Sequence, residues 1–200
     1  MGSNKNMRVI AGTYRSRILK SLKGSALRPT SDRLRETLFN VLGAGIAGSR
    51  FLDVFAGTGA VGIEALSRGA MEVTFIENHA PSAALIRKNL ASLEANTGIN
   101  VICEDAVRAL TSLRGKRKGG GAFDYIFIDP PYAAEADYLR VLNYLASATL
   151  VASGGIVVVE HRKTFDPSES FGTFRRVRLL RQGDAALSFY RRDEAGQNQS

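Results

Sequence analysis

The chain holds one cysteine, Cys103, no tryptophan, two histidines and five prolines in 200 residues. A single cysteine excludes an intrachain disulfide and a cysteine-rich zinc site, and it fits a reducing compartment. Two histidines leave no basis for a histidine-rich metal centre, and the reading is of a metal-free protein. No apolar run approaches the length of a membrane span. The start, Met1 to Gly12, lacks the apolar stretch of a secretory leader, which predicts a cytoplasmic protein. With 44% apolar and 23% charged residues, the composition is that of an ordinary globular protein rather than a collagen-like or low-complexity chain. The length suits about one domain. It leaves no room for a separate recognition domain beside an enzyme domain.

Acidic residues are scarce in one place. Residues 1–35 carry nine basic side chains and one acid, Asp32, a balance of +8. The other 165 residues hold 18 basic and 18 acidic side chains, so the whole net charge of +8 sits in the first sixth of the chain. A field concentrated in this way attracts a polyanion and gains from counterion release. The candidate contacts are Arg8, Tyr14, Arg15, Arg17, Lys20, Lys23, Arg28 and Arg33, with Tyr14 either stacking on a base or packing the arm. The expected organisation is a basic arm over 1–30, a catalytic domain over 31–192 and a flexible tail over 193–200.

Downstream of Pro29, Leu34, Leu38, Val41 and Leu42 share one helical face, with Thr30 or Ser31 as N-cap and Gly43 as the stop. From Arg50 onward strands alternate with helices. Strands are expected at 51–55, 73–76, 100–103, 123–128 and 155–160, with helices at 60–68, from Pro81, at 106–113 and at 136–150. A hairpin, 175–180 and 186–190, closes the series. This rhythm predicts an α/β, Rossmann-like fold whose sheet is mostly parallel with one antiparallel strand. Cys103 is expected to be a small buried hydrophobe.

Asp53 on the first strand, then Gly57-Thr58-Gly59, then a helix make a cofactor-binding arrangement, because glycines allow close approach and the helix start offers free N–H groups. The stretch Gly57 to Gly62 matches G-x-G-x-x-G, a weak signal alone. The acids discriminate better. Glu77 ends the second strand, where a carboxylate can accept two ribose hydroxyls. Asp53 would repel a pyrophosphate and suits a cationic, amino-acid-bearing cofactor such as S-adenosylmethionine. Asp105 follows the third strand, where it can accept from the adenine amine. Phe55, Asn78 and Ala106 flank these positions and complete the cofactor set, although Phe55 also reads as packing. Helix capping and surface acids are the plain alternative for all three carboxylates.

Asp129-Pro130-Pro131-Tyr132 ends the fourth strand. Two prolines fix the backbone and remove two N–H donors. A carboxylate, rigid carbonyls and an aromatic ring remain, an acceptor set for the exocyclic amine of a planar base. Asp129 and the Pro130 carbonyl each accept one N–H, and Tyr132 stacks on the base. Such paired acceptors turn the nitrogen lone pair toward a methyl donor, and transfer then needs orientation more than a strong base. His79 and His161 have no sequence partner that makes either part of a nucleophilic pair.

With Arg8-Val-Ile-Ala-Gly12, the block from Leu27 to Asn40, the stretch from Leu52 to Ala65 and Asp129-Pro-Pro-Tyr132 in view, the chain resembles the RsmD family of small-subunit ribosomal RNA guanine-N2 methyltransferases over roughly residues 7–192. The resemblance implies a class I methyltransferase fold with a seven-stranded sheet, S-adenosylmethionine as donor, and one guanine of 16S rRNA in the 30S particle as acceptor. It places Asp129, Pro130 and Tyr132 on the target base, and Asp53, Gly57, Gly59, Glu77 and Asp105 on the cofactor. The insertion at Gly115–Gly121 and the alanines at 133 and 134 depart from the family pattern. A monomer is expected. A DNA adenine-N6 methyltransferase shares the tetrapeptide but ordinarily needs a recognition domain. A protein-glutamine methyltransferase leaves the arm's charge unexplained, and a non-catalytic assembly factor leaves the acids unexplained.

Overall fold

The computed structural model describes residues 7–21, 31–116, 121–131 and 134–193. The chain divides into two compact units, residues 1–106 and 107–200.

The first unit is built on three parallel strands in the order β3-β2-β1: β1 at Arg50–Val54, β2 at Glu72–Ile76 and β3 at Ile99–Ile102. Helix α1, Asp32–Leu42, starts where the Ser31 hydroxyl accepts the Leu34 N–H, and it buries Leu34, Leu38, Phe39 and Leu42. Phe39 stacks on Phe51 of β1 at 6.1 Å between ring centres. A short 3-10 turn, Gly43–Ile46, leads into β1. Helix α2, Ala60–Ser67, is buried along nearly its whole length. Gly62 is what permits this: a β-carbon there would sit 2.3 Å from the Phe75 ring of β2. Helix α3, Ala80–Ser92, begins one residue ahead of Pro81.

The arm is part of this unit. Residues 7–21 double back, with a bridge between Arg8 and Ile18, and they bury Met7, Val9 and Leu19. Burying such side chains contributes about 1.5–3 kcal/mol each. Gly12, at φ +81°, is wedged against Ser67, whose carbonyl oxygen would lie 1.8 Å from an added β-carbon. The charge pattern of the sequence gave no sign of this packing.

The second unit runs β4-β5-β8-β7-β6. Strand β4, Phe123–Ile128, pairs in parallel with β5, Val151–Arg162, while β8, Ala185–Arg192, is antiparallel to β5 and to β7, Phe174–Gln182. The expected closing hairpin is therefore β7–β8, with β8 as the antiparallel strand. A two-residue strand, β6 at Ser170–Phe171, adds an eighth to the expected seven. Helix α4, Ala106–Lys116, extends into the expected glycine-rich loop, and α5, Glu135–Ser147, ends three residues before Leu150. Cys103 is exposed, not buried: it follows β3, the terminal strand of the sheet, none of whose own residues is buried. Among the described residues no helix is long and apolar enough to cross a membrane.

Candidate functional site

In the first unit, Asp53 and Glu77 sit at the ends of adjacent parallel strands and shape the glycine turn. Gly57 and Gly59 both adopt positive φ, +55° and +79°. Phe55 does so too, at +64°, a conformation that costs a non-glycine residue about 1–2 kcal/mol. Strain of this kind collects where a turn is held for a purpose. Glu77 does the holding: Oε2 accepts the Gly57 N–H at 2.8 Å and Oε1 accepts the His79 N–H at 2.8 Å. Asp53 Oδ2 accepts the Gly62 N–H at 2.9 Å, in the first turn of α2, where the N-cap residue Gly59 has no side chain to offer. Helix capping is thus a real task of Asp53.

Asp53 is 2% exposed. Burial pushes its carboxyl up to about 7; the Gly62 N–H pulls the other way, and the Glu77 carboxylate adds to the rise. The two acids thus meet at the turn, each accepting main-chain N–H groups.

Asp105 and Ala106 lie at the start of α4, with Ala106 buried and Asp105 half-buried. Asn78 and His79 are exposed at the rim beyond β2, and His79 Nδ1 lies 3.0 Å from the Ser82 hydroxyl, one side chain on another in the first turn of α3. Among the described residues, no group of three or more histidine, cysteine or acidic side chains is placed to hold a metal.

The arm reaches the same turn. Glu64 of α2, fully buried, accepts the Ile10 N–H at 2.8 Å and the Ala11 N–H at 3.0 Å, and it pairs with Arg68 at 2.8 Å and Arg35 at 3.7 Å. Arg35 is itself fully buried and also bonds Asp32 and the Arg8 carbonyl. Burial lowers its pKa against the opposing pull of Glu64 and Asp32. Asn89 of α3 accepts the Lys20 N–H at 2.9 Å and donates to the carbonyls of Lys20 and Thr58, both at 3.1 Å. Thr58 belongs to the glycine turn, and its hydroxyl donates to Met7 Sδ at 3.6 Å. Glu64, Ser67 and Asn89 were missed by sequence reasoning. A lone acid in the apolar stretch Ala60 to Ser67 was the available signal for the first.

Of the residues expected on RNA, Arg8, Arg15, Arg17, Lys20 and Arg33 are exposed and Tyr14 is half-buried. Arg17 Nη2 donates to the Ser92 carbonyl at 2.6 Å. Lys23 and Arg28 lie outside the described residues, as does Tyr132.

In the second unit, Asp129 and Pro130 follow β4, with Pro130 buried and Asp129 half-buried. The Pro130 carbonyl accepts the buried Tyr138 hydroxyl at 3.4 Å, which leaves one lone pair of that oxygen for another donor. Tyr138 packs on Phe165 at 5.1 Å, and Phe165 in turn on His161 at 6.2 Å. Tyr138 is a support that the sequence did not reveal. His161 is enclosed: it is 2% exposed, lies 2.9 Å from the Ser188 hydroxyl and 2.8 Å from the Arg162 carbonyl, and burial lowers its pKa.

A family model described as conserved hypothetical protein 95 matches residues 7–191. The chain is 35% identical over 186 residues to the putative rRNA methyltransferase YlbH of Bacillus subtilis, covering 93% of this chain and 99% of that one. It is 32% identical over 192 residues to ribosomal RNA small subunit methyltransferase D of Escherichia coli, covering 96% and 93%. Among solved structures, the putative methyltransferase yhhF from Escherichia coli superposes with a TM-score of 0.79 at 31% identity, covering 94% and 98%.

Proposed function

The chain belongs to the RsmD family of small-subunit ribosomal RNA methyltransferases, and on that premise we propose that it transfers a methyl group from S-adenosylmethionine to the exocyclic N2 of one guanine in 16S rRNA, presented on an assembled or partly assembled 30S particle. The observation that carries this reading is the match along nearly the whole chain together with an intact Asp129-Pro130-Pro131-Tyr132 at the end of β4. Neither a DNA adenine methyltransferase nor a non-catalytic assembly factor has a finding in its favour.

The residues of the first unit fit the cofactor. A buried Asp53 with a raised pKa, beside Glu77, suits a ligand bearing positive charge, and the positive-φ glycines Gly57 and Gly59 leave room for close backbone approach. In this reading Asp53 and Glu77 hold the amino-acid and ribose parts, Asp105 accepts from the adenine amine, and Phe55, Asn78 and Ala106 wall the pocket. When bound, S-adenosylmethionine supplies an electrophilic methyl on a sulfonium. Asp129 and the Pro130 carbonyl accept the two N–H bonds of the guanine amine and orient its lone pair, with Tyr138 holding the carbonyl and Tyr132 stacking the base. The proton leaves after the nitrogen has become cationic, so neither a metal nor a histidine base is required. The enzyme acts as a cytoplasmic monomer, with Arg8, Tyr14, Arg15, Arg17, Lys20, Lys23, Arg28 and Arg33 contributing to RNA binding.

Labelled methyl transfer to small-subunit particles from a strain lacking the gene, followed by nucleoside analysis, tests the proposal. N2-methylguanosine in 16S rRNA is the expected product. N6-methyladenosine, or efficient transfer to naked duplex DNA, would overturn the reading.

A further inference from the structure

The second unit carries a basic surface of its own, outside the arm. Residues 174–192 hold six arginines and one acid, Asp184. The structure sorts the arginines. Arg176 is an internal strut, bound to Asp166 through both oxygens at 2.6 and 3.2 Å and close to Glu169. Arg192 lies over the Phe174 ring at 4.7 Å and donates to the Thr173 hydroxyl.

Three others, Arg175, Arg178 and Arg191, share one face of the β7–β8 hairpin. Arg175 stands directly opposite Arg191, and Arg178 opposite Phe189, two residues along from Arg191. All three are exposed. Arg175 Nη1 donates to the Gly172 and Phe174 carbonyls at 3.1 and 3.2 Å and its Nε has an acid, Asp193, at 3.9 Å, while among the described residues no carboxylate pairs with Arg178 or Arg191. With Val177, which is 58% exposed at a register shift, Arg175 and Arg191 line an open concavity of about 320 Å³ shared with Gly154, Arg192 and Asp193.

Like charges directly across a strand pair are destabilising. A pair in that position, at the wall of a concavity, is relieved by an anion bound between its members. Guanidinium groups present a planar fork that matches phosphate bidentately, which a lysine does not. The register places Arg191 level with Tyr125 of β4 through Ile156, four residues before Asp129. That is about 13 Å along the strand from the acceptor motif, within reach of the same nucleic-acid strand.

We propose that Arg175, Arg178 and Arg191 form a second contact for the RNA sugar–phosphate backbone, apart from the arm, on the β7–β8 hairpin. This rests on the rRNA reading above. The surface binds without reading sequence and anchors the particle beside the acceptor motif.

The test is the triple variant Arg175→Ser, Arg178→Ser, Arg191→Ser in the full chain. It is compared with the unaltered protein for binding to gene-deficient small-subunit particles across a salt series, and to protein-free 16S rRNA. The expected result is a tenfold or greater loss of affinity for both, with the salt slope lowered by about 2, as three lost single-strand phosphate contacts require. S-adenosylmethionine affinity should not move, and Tm should not fall, since the variant also removes the like-charge pair. The triple lysine variant should recover most of the salt slope and only part of the affinity. Unchanged affinity and slope would overturn the proposal, as would aggregation or dimerisation with affinity intact, which would make these charges guards of an exposed edge strand. Loss on particles but not on bare rRNA would overturn it in favour of an acidic protein partner. Failure of the rRNA reading would show separately, as absence of particle binding and transfer by the unaltered protein.

Discussion

The arm and the β7–β8 hairpin are both densely basic, yet they are held in opposite ways. The arm's main chain is fastened by side chains of the first unit. Glu64 takes two of its N–H groups, Ser67 Oγ a third from Tyr14, and Asn89 grips both the N–H and the carbonyl of Lys20. Its charges are carried outward on a backbone that is bonded in place. The hairpin's main chain is satisfied within its sheet, and its strain lies in the side chains, where Arg175 and Arg191 face each other. One region is a charged strap on a polar buckle, and the other is a sheet-bonded platform whose arginines are only partly neutralised. Net charge in a sequence window reports neither arrangement.

The largest contrast between them should appear in stability. Removing Glu64 leaves Arg35 buried without its main partner, so Glu64→Ala should cost about 3–5 kcal/mol in chemical denaturation and expose the arm to proteolysis. A loss below about 1 kcal/mol would dissolve the distinction between strap and platform, since surface changes stay within roughly that range.

Asp53 belongs to neither basic region and serves as a pH reference for the first unit. Folded, it keeps its proton up to about pH 7, whereas its unperturbed value is 3.8. In that window the folded state holds the extra proton, so this group's contribution to stability falls as pH rises from about 4 to about 7 and levels off above. Asp53→Asn should remove that slope, an effect on the order of 2–4 kcal/mol at pH 8 measured by denaturation across pH. A slope that survives the substitution would assign it to other groups.

Gly12→Ala meets both the positive φ and the Ser67 carbonyl. It should loosen the arm for roughly 2 kcal/mol, visible as faster amide exchange at Ile10 and Ala11. Exchange that stays slow would mean the strap does not depend on this close approach. Smallest of all, Arg178→Ser should change stability by less than about 0.5 kcal/mol while lowering particle affinity. A clear destabilisation there would make the platform structural.

Much of the fold was legible because its cues are local. Alternating apolar strands, Ser31 and Gly43 around α1, and the glycine turn each act within a few residues, and strand ends were read to within two residues except at the start of β5, which lies four residues earlier, and in β6, which was not expected. The position of Asp129 and Pro130 directly after β4 was legible for the same reason, since two prolines stop an apolar strand. The rest depended on contacts across long separations. Asn89 bonds residues 69 and 31 positions away, and Tyr138 reaches back eight to Pro130. Cys103 misled because β3 is half exposed along its length, so a place at its end buries nothing. Which of the hairpin's arginines are paired was hidden because pairing is set in space, as where Asp166 takes Arg176 from outside the hairpin.

The division of labour between the acids of the first unit and the motif after β4 is tested most directly by Asp129→Ala, with S-adenosylmethionine affinity and methyl transfer to the particle measured on the same preparation. The account predicts that transfer is abolished while cofactor affinity is retained. Loss of both would contradict it and move Asp129 into the cofactor site.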